Sequence, residues 1–314
     1  MGLPKPSARL LLREAARRPF SGAVATLGRQ DILFDHAWLQ RTAAHMGVAL
    51  RPAEVTLHRQ PALALRGFLS DDSFLQALGF TEIVRLDYSD FEAPDYLLDL
   101  NDPRTPDDLR QRFDAVLDGG TLEHVFHLPH ALRHVFEMLK PGGRAIHFSP
   151  SANHLDHGFY MFCPTLLWDF YAANQFEINT FCLYRYRPDR DRWDVYEYRP
   201  EALAPGVRWG GLDDAMYGIH VVATRLPSST GDCIPQQGWY LKRWHEAKAQ
   251  PPAAPGELLS EPPGTKARRL MDLTRPYPRL HRLACQLIVR WRAFINRRRQ
   301  ARHRGLGLKY IGRF

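Results

Sequence analysis

The sequence predicts an α/β fold built around a mixed β-sheet, and three observations lead to that class. Strand and helix patterns alternate over residues 23–150, as they do where helices connect parallel strands. Strand patterns follow one another closely after residue 175, which indicates antiparallel pairing at one side of the sheet. Between these regions, residues 113–161 contain a complete β-α-β unit.

Composition limits the class of protein. The chain has 314 residues, of which 45% are apolar, enough for a large core. Its four cysteines lie far apart, without a C-x-x-C pair, which argues against a zinc cage or a disulfide framework. No segment reaches the roughly 18 apolar residues of a spanning helix. We therefore expect a cytoplasmic protein with at most a peripheral membrane association.

The net charge of +8 is distributed unevenly along the chain. Residues 241–314 contain 18 Lys and Arg against 4 Asp and Glu, whereas residues 1–240 contain 24 against 30. The basic character therefore belongs to the C-terminal tail, and the composition of the main body does not favour nucleic-acid binding.

The elements before residue 66 are short. Residues 7–18 predict a basic helix, and residues 23–27 predict the first strand of the sheet. Residues 31–66 hold a helix pattern at 37–46 and a weak strand pattern at 54–58, and we interpret them as an insertion after the first strand.

From residue 70 the pattern becomes regular. Ser70 is a residue type that caps helix N-termini, and Gly79 is expected to end the same helix. The next strands are predicted at 81–86 and 96–98, and each is followed by a carboxylate.

The β-α-β unit at 113–161 is the most informative stretch. Its parts are a strand (114–117), a glycine-rich turn (118–121), a helix (129–139), a Pro-Gly-Gly stop (141–143) and a second strand (145–148). In open parallel sheets, ligands bind at the carboxyl ends of the strands. We therefore expect the residues that follow these two strands to face one crevice.

The remaining elements complete the sheet and lead into a tail. We predict a helix at 164–173 and strands at 178–186, 193–198 and 217–225, the last with a bulge at Gly218. The predicted organisation is an N-terminal basic segment (1–22), an α/β domain (23–245), a Pro-rich linker (246–278) and a basic amphipathic helix with its tail (279–314).

The helix predicted within 279–304 carries apolar residues at helical spacing, flanked by arginines. Its apolar face could pack on this protein or on a partner protein, or bind an anionic membrane surface. Nucleic acid is disfavoured because aromatic residues are sparse among its arginines.

Three carboxylates, Asp87, Asp99 and Asp118, stand at or just after predicted strand ends. Each one alone is typical of a turn or a helix cap, but their common placement favours a nucleotide site. A carboxylate after the second strand of a nucleotide-binding sheet accepts hydrogen bonds from ribose hydroxyls, and Asp87 has that position.

Two stretches carry a family resemblance. FDAVLDGGTLEHVF (113–126) and HALRHVFEMLKPGGRAIHFSP (130–150) resemble the fourth strand, the next helix and the fifth strand of class I S-adenosylmethionine-dependent methyltransferases. The most specific pieces are LEH at 122–124 and LKPGG at 139–143. The stretch LDHGFYMFCPTLLWDFY (155–171) is similar to methyltransferase-like proteins of glycan and surface-polysaccharide biosynthesis. The resemblance covers about residues 23–225 and implies a Rossmann-like mixed sheet of seven strands with helices on both faces.

The resemblance also implies S-adenosylmethionine as the cofactor and gives positions for its parts. It places the ribose at Asp87, the adenine near the segment after the third strand, and the methionine end at the loops after the first and fourth strands. The residues so implied are Gly28, Arg29, Asp87, Asp99, Leu100, Asn101, Asp118, Gly119 and Gly120.

The loop after the first strand departs from the family. Such methyltransferases usually carry Gly-x-Gly-x-Gly there, which lets the backbone approach the cofactor. Residues 26–31 read TLGRQD, with Gly28 as the single glycine. Arg29 and Gln30 could contact the cofactor in a different way, with Arg29 pairing with the cofactor carboxylate. Alternatively, cofactor binding is weakened or lost. A dinucleotide dehydrogenase is disfavoured because G-x-G-x-x-G is missing.

Three histidines, His127, His130 and His134, are spaced i, i+3, i+7, a pattern that could indicate a metal site. Pro129 is expected to begin the helix, which leaves His127 out of that register, and no carboxylate or cysteine completes the set. We therefore expect no metal, and ordinary histidines on a surface helix.

The acceptor side is expected in the aromatic-rich loop after the fifth strand. A neutral His157 could take a proton from an acceptor hydroxyl, oriented by Asp156, and His124 is the second candidate base. Glu123, Phe159 and Tyr160 are expected to contact the acceptor. Alternatively, His157 bonds the backbone and the aromatic rings simply pack.

These observations predict a methyltransferase acting on a hydroxyl, less readily on a nitrogen, of a sugar, a glycan or another small acceptor. The alternative is a non-catalytic binding or scaffold module with the same fold, docked at a membrane through the C-terminal helix. The single-glycine loop at Gly28 is the main support for that alternative.

Overall fold

The computed structural model describes residues 2–204, 207, 212–248, 265–302 and 306–314. The chain forms two compact units. The first contains residues 1–198, 214–235 and 309–314, and the second contains residues 199–213 and 236–308. The sheet, and with it the strand ends named above, belongs to the first unit.

The first unit contains eleven strands within the described residues. They are β1 (Gly2–Leu3), β2 (Ala23–Leu27), β3 (Asp31–Ile32), β4 (Glu82–Asp87), β5 (Tyr96–Leu97), β6 (Phe113–Asp118), β7 (Leu139–Pro150), β8 (Glu177–Tyr186), β9 (Trp193–Glu197), β10 (Met216–Thr224) and β11 (Lys309–Arg313). Its α-helices are α1 (Lys5–Arg17), α2 (His36–His45), α3 (Pro61–Ala64), α4 (Asp71–Leu78), α5 (Leu128–Met138) and α6 (Pro164–Ala173).

Nine of these strands form one mixed sheet in the order β11-β9-β8-β10-β7-β6-β2-β4-β5. The five strands from β7 to β5 are parallel, and the remaining pairings are antiparallel. The mixed α/β fold is confirmed, but the predicted count of seven strands is wrong. One strand that the prediction missed is β11, a short run in the basic tail that pairs with the edge strand β9.

The helix α1 belongs to the core of the first unit. Leu10, Leu11 and Leu12 are all fully buried, and burial of each is worth about 2 kcal/mol. The carboxylate of Glu14 is also buried, where it accepts a hydrogen bond from Thr180 Oγ1 at 2.7 Å and pairs with Arg17.

The helix α4 has the predicted caps. Ser70 Oγ accepts the backbone N–H of Ser73 at 3.1 Å, and Gly79 follows the helix with φ of 123°. A Cβ at Gly79 would lie 2.3 Å from the carbonyl oxygen of Phe20, so only glycine fits.

Two predictions about glycines are corrected. The Pro-Gly-Gly stop at 141–143 lies inside the extended segment β7, because the register against β6 shifts there and Gly142 adopts φ of 84°. In β10 the register shift falls between Val222 and Ala223 and not at Gly218. Gly218 instead leaves room for the Tyr184 ring, which a Cβ would approach to 2.2 Å.

The interpreted insertion at 31–66 contains β3, which pairs with β1, and the helices α2 and α3. The weak strand pattern at 54–58 does not form a strand; it contributes one isolated bridge, between Leu57 and Leu69. Asp35 caps α2 by accepting the Trp38 N–H at 2.7 Å. These contacts tie the insertion to the segment that leads into α4.

The second unit contains three helices in its described part, α7 (Gly238–Lys248), α8 (Thr265–Thr274) and α9 (Pro278–Arg302). The helix α8 lies within the residues predicted as linker, while the Pro-rich stretch 249–264 lies outside the described residues. No helix in the described part of the chain is long and apolar enough to cross a membrane.

Candidate functional site

The strand order defines where a ligand is expected. The chain passes from β2 to β4 on one side and later returns to β6 on the other side of β2. Such a reversal opens a crevice at the carboxyl end of the central strand. The residues that follow β2, β4, β6 and β7 therefore form the candidate site.

The loop after β2 is held closely by its neighbours. Gly28 adopts φ of 70°, and its N–H donates to the Leu86 carbonyl at 2.7 Å. The Thr121 hydroxyl donates to the Leu27 carbonyl at 2.5 Å, which joins the loop after β6 to the end of β2. The backbone on both sides of the central strand is thus fixed.

The side chains of Arg29 and Gln30 fill this loop in different ways. The guanidinium of Arg29 binds both carboxylate oxygens of Asp71 at 3.3 Å and donates to the carbonyls of Glu92 and Ala93. Arg29 is therefore already engaged by protein groups. Its predicted pairing with a cofactor carboxylate would compete with these bonds.

Gln30 is buried at the position where the family pattern has a second glycine. Its Nε2 donates to the carbonyls of Leu27 and Gly28 at 3.1 and 3.2 Å. Its Oε1 is buried without a hydrogen-bond partner among the described residues. Gly119 leaves the space for this amide, because a Cβ there would lie 2.0 Å from Oε1.

A polar pocket of about 210 Å³ opens beside this loop. The insertion contributes one of its walls, and the N-terminal turn of α4 contributes another. Its lining residues are Arg29, Gln30, Thr56, Leu57, His58, Arg59, Ser70, Asp71 and Asp72.

Asp87 lies at the carboxyl end of β4, as predicted. Its side chain is partly exposed, and Oδ1 accepts the N–H of Ser89 at 3.2 Å. Two large rings nearby in sequence, Tyr88 and Phe91, are exposed to 75% and 89%. The carboxylate and the rings together form a surface with polar and aromatic parts.

The segment predicted to lie near an adenine is tied internally. Asp99 Oδ1 accepts from the N–H and the side-chain amide of Asn101, at 2.8 and 2.9 Å. Asn101 Oδ1 in turn accepts the N–H of His127, and Leu100 is buried. The side chain of Asn101 therefore connects this segment to the start of α5.

Asp118 is buried completely and organises the turn after β6. Its Oδ1 accepts the N–H groups of Gly120, Thr121 and Leu122 at 3.3, 2.8 and 3.3 Å. The glycines at 119 and 120 lie in this turn. The structure thus places the Asp118 carboxylate under the turn, while the turn itself forms the edge of the crevice.

The second oxygen of Asp118 leads into a buried chain of hydrogen bonds. Oδ2 accepts from His147 Nδ1 at 3.0 Å, and His147 Nε2 lies 2.5 Å from the Tyr171 hydroxyl. Since a carboxylate only accepts, Nδ1 carries the proton of a neutral His147 and Nε2 accepts from Tyr171. Burial, with the Asp118 charge next, raises the pKa of Tyr171 well above its usual range.

A cluster of one buried carboxylate and two partly exposed imidazoles follows this turn. Glu123 Oε1 lies 3.6 Å from His157 Nε2 and 4.0 Å from His124 Nε2. The rings of His124 and His157 are 5.2 Å apart, centre to centre. The structure therefore brings together three residues that the sequence analysis named separately, from the loops after β6 and β7.

The backbone holds the two loops of this cluster together. The Glu123 carbonyl accepts the N–H groups of Phe159 and Tyr160 at 2.8 and 3.2 Å. A Cβ at Gly158 would lie 2.8 Å from that same carbonyl oxygen, so glycine permits the close approach. The predicted neighbour Asp156 is exposed with φ of 61°, and the carboxylate near His157 is Glu123.

Burial governs the electrostatics of the cluster. Desolvation, then the charge of Asp118, raises the pKa of Glu123 to about 8. Desolvation, then the proximity of His157, lowers the pKa of His124. At neutral pH the cluster thus favours a neutral imidazole at His124, as a proton acceptor requires.

Aromatic side chains surround the cluster. Phe126 and Phe159 are 62% and 65% exposed and meet edge to face at 5.6 Å. The Tyr160 hydroxyl donates to the Phe126 carbonyl at 2.7 Å. These rings form an exposed apolar surface next to Glu123, His124 and His157.

The histidine series on α5 does not form a comparable cluster. His134 is buried, with Nδ1 bonded to the Thr105 hydroxyl and Nε2 to the Asp102 carbonyl. His130 Nδ1 contacts the Asn101 carbonyl, and His127 stacks on its ring at 5.2 Å. The expectation of ordinary surface histidines is therefore wrong for His134, whose ring fixes the loop before β6.

The sequence analysis missed His147, Ser149 and Tyr171 as members of this site. His147 and Ser149 are two residues apart in β7, so they lie on the same face of the strand, and both approach Asp118. The alternation of side chains along a strand was the sequence signal from which these two residues could have been predicted. The role of Gln30 as a filler against Gly119 had no comparable signal.

Comparisons with known proteins find solved structures of low similarity to this chain. No family model and no curated protein matches the chain. The YcgJ protein from Bacillus subtilis has 12% identity and a TM-score of 0.39, over 70% of this chain and 98% of that one. The 1,6-didemethyltoxoflavin-N1-methyltransferase from Burkholderia thailandensis, with bound S-adenosylhomocysteine, has 14% identity and a TM-score of 0.35, over 70% and 77%.

A third solved structure is phosphoethanolamine N-methyltransferase 2 from Haemonchus contortus in complex with S-adenosylmethionine. It has 12% identity and a TM-score of 0.36, over 71% of this chain and 53% of that one. The names of the two methyltransferases give different acceptors, 1,6-didemethyltoxoflavin and phosphoethanolamine.

Proposed function

We propose that this chain is an S-adenosylmethionine-dependent methyltransferase that acts on a hydroxyl of a small acceptor. The observation that carries the proposal is the arrangement on the two sides of β2. A partly exposed carboxylate, Asp87, ends β4 on one side, and the Glu123–His124–His157 cluster follows β6 and β7 on the other. A nucleoside site thus lies across the crevice from a proton-accepting site.

The residues present fit the cofactor in two places. Asp87 offers a partly exposed carboxylate to ribose hydroxyls, next to the exposed rings of Tyr88 and Phe91. At the other end of the crevice, Gln30 Oε1 is an acceptor without a partner in the described residues, but it is buried against Gly119, so an ammonium group would reach it only after this loop moves. Gln30 would replace the missing glycine contact, while Arg29 would stay with Asp71.

When bound, the cofactor supplies the electrophilic methyl group. The residues of this chain would hold the acceptor and take its proton. His124, whose pKa is lowered by burial, is one candidate base, and His157 at 3.6 Å from Glu123 is the other. Holding the acceptor in line is expected to contribute most of the acceleration.

The acceptor class is inferred from the surface around the cluster. Phe126 and Phe159 present exposed ring faces and edges that suit a flat or pyranose ring, and the Glu123 carboxyl can bond a hydroxyl. A sugar or glycan hydroxyl is therefore the acceptor that we propose to test first. A nitrogen acceptor is the second.

The proposal is tested by calorimetric titration of the full chain with S-adenosylmethionine and S-adenosylhomocysteine. We expect Asp87→Ala to weaken binding at least tenfold, because a charge-assisted hydrogen bond is worth about 1.5–3 kcal/mol. Glu82→Ala is the matched control, since Glu82 lies at the opposite end of the same strand. Folded protein that binds neither ligand would overturn the proposal.

The second candidate function is a binding or scaffold module without catalysis. The engagement of Arg29 by Asp71 and the packing of Gln30 against Gly119 favour it, since both close the loop after β2. Absence of cofactor binding in the titration would support this function. If the chain does bind the cofactor, the altered loop cannot be explained by a change from catalysis to a scaffold function.

For the C-terminal helix α9 we propose an anionic membrane surface as the partner. Leu280, Leu283 and Leu287 lie at helical spacing and are each 55–56% exposed, within a sequence rich in arginine. An exposed apolar stripe beside cationic side chains is what binds such a surface. A peripheral location at the membrane would follow, and a partner protein is the other occupant to test.

A further inference from the structure

We propose that Glu123, His124 and His157 form a binding site for a divalent transition-metal ion. The nearest ligand atoms of the three residues lie within 4.8 Å of one another. One carboxylate and two imidazoles from two different loops form a donor set that suits such ions. The proposal does not depend on the proposed cofactor, because none of the three residues lies at the Asp87 side of the crevice.

The distances require only a small rearrangement. Ligand atoms around a metal with bonds of about 2.1 Å are roughly 3.0–3.4 Å apart. Glu123 Oε1 is 3.6 Å from His157 Nε2 and 4.0 Å from His124 Nε2, so these distances must shorten by about 0.2–0.6 and 0.6–1.0 Å. The ligand atoms of the two imidazoles, which lie within 4.8 Å of each other, must also approach. The side chains of His124 and His157 are 42% and 48% exposed and can make that movement.

An independent observation concerns the carboxylate itself. The Glu123 side chain is 2% exposed, and its Oε2 has no hydrogen-bond partner in the ranges that the structure describes. Buried carboxylate oxygens without partners are rare, and each calls for an unseen ligand or another explanation. The two imidazoles face Oε1, so a cation between them and Glu123 gives Oε2 a partner where the carboxylate binds the ion through both oxygens.

The backbone keeps the donor set together. The Glu123 carbonyl holds the loop of His157 through the N–H groups of Phe159 and Tyr160. Main-chain bonds therefore hold together the two loops that carry the donor set, and these bonds do not involve the side chains of the aromatic surface. Such a supported set is what a built site requires.

The exposed side of the cluster leaves coordination positions open. Three protein ligands with an open position are typical of sites that bind a further oxygen or nitrogen donor. A bound ion would also exclude a base role for the same nitrogen, because a lone pair that holds a metal cannot take a proton. A comparison of the protein with and without metal therefore distinguishes a metal-ligand role of these imidazoles from the base role proposed above.

The test uses the full chain, freed of metal with a chelator and titrated with Co²⁺ while visible absorption is recorded. We expect one Co²⁺ per chain with d–d bands, and displacement by Zn²⁺. Glu123→Gln, His124→Ala and His157→Ala should each weaken Co²⁺ binding by more than about 100-fold, beyond what outer partners of a ligand usually contribute. The control is His127→Ala, an exposed histidine of the same segment, which should leave affinity unchanged.

Thermal unfolding gives a second readout, since an ion that binds the folded state raises the melting temperature. Co²⁺ should raise it for the parent chain and the His127→Ala variant and not for the three cluster variants. Because His157 is on an exposed loop, His157→Ala keeps the test valid even if Glu123→Gln fails to fold. Binding that survives in His157→Ala, or that is lost in His127→Ala, would overturn the proposal. Neither result depends on binding of S-adenosylmethionine.

Discussion

Replacement of Asp118 by asparagine should destabilise the first unit strongly. Asp118 is fully buried and accepts five hydrogen bonds, from three backbone N–H groups, His147 and the Ser149 hydroxyl. An asparagine keeps one acceptor oxygen and adds two donors. If its oxygen stays under the turn, its amide nitrogen faces the His147 Nδ1–H that the carboxylate accepted.

The rearrangement of these hydrogen bonds determines how much the free energy of unfolding decreases. His147 would have to move its proton to Nε2, which faces the Tyr171 hydroxyl, and that hydroxyl would lose its acceptor. The bonds that His147 Nδ1 and the Ser149 hydroxyl donate to the charged Oδ2 of Asp118 are then lost, each worth about 1.5–3 kcal/mol. We expect a loss of about 3–5 kcal/mol in the free energy of unfolding, or roughly 6–20 °C in melting temperature.

Urea unfolding at pH 7.5 measures this change, with Asp114→Asn as the control. Asp114 lies in the same strand but is 35% exposed, pairs with Lys140 and accepts the Ala23 N–H at 2.8 Å. The asparagine oxygen can keep the bond to Ala23, so Asp114→Asn should cost about 1 kcal/mol or less. Adding Tyr171→Phe to the Asp118→Asn variant should cost less than it does in the parent chain, because the hydroxyl has already lost its acceptor. A cost below about 1 kcal/mol for Asp118→Asn would refute this account of the buried chain.

Three further predictions concern other parts of the molecule. Burial lowers the pKa of His220 to about 3. As pH falls below about 6.5, this histidine therefore takes up a proton in the unfolded state before it does so in the folded state. The free energy of unfolding is unaffected above that pH and declines below it. At pH 5 this loss is about 2 kcal/mol. Urea unfolding at pH 7.5 and at pH 5 should show the loss in the parent chain and not in His220→Phe. Equal losses in both proteins would contradict this prediction. Gln30→Leu should weaken S-adenosylmethionine binding about tenfold or more in calorimetry, whereas unchanged affinity would mean that Gln30 only fills space. Leu283→Asp with Leu287→Asp should abolish sedimentation with anionic liposomes, whereas Leu273→Asp in α8 should not; equal binding would remove the membrane proposal.

Local signals in the sequence were sufficient for most elements. Ser70 and Gly79 marked α4 because a cap and a left-handed residue are chosen by the backbone next to them. The limits of α6 were predicted without error, since a proline begins the helix and the apolar pattern continues to its end. Strand β11 was missed because its pairing with β9 joins residues more than 100 positions apart.

The strand ends that form the candidate site were predictable from the sequence, whereas the arrangement of their side chains was not. Asp118 was correctly placed at a strand end, yet both faces of β6 are covered, so the sequence could not show that its carboxylate points under the turn. Asp156 was expected beside His157 because the two are neighbours in sequence. The positive φ of Asp156 and the contact between His157 and Glu123 depend on the path of the loop.

The hydrogen bonds of the Glu123 carbonyl determine which positions of this site tolerate substitution. They join the segments after β6 and β7 through main-chain atoms and a glycine, and require no particular side chain at positions 124, 157 or 159. Substitutions at these three positions are therefore expected to leave the geometry of the two loops in place. The two loops form a backbone frame whose side chains can be exchanged, which makes it a suitable starting point for directed evolution of a new binding site.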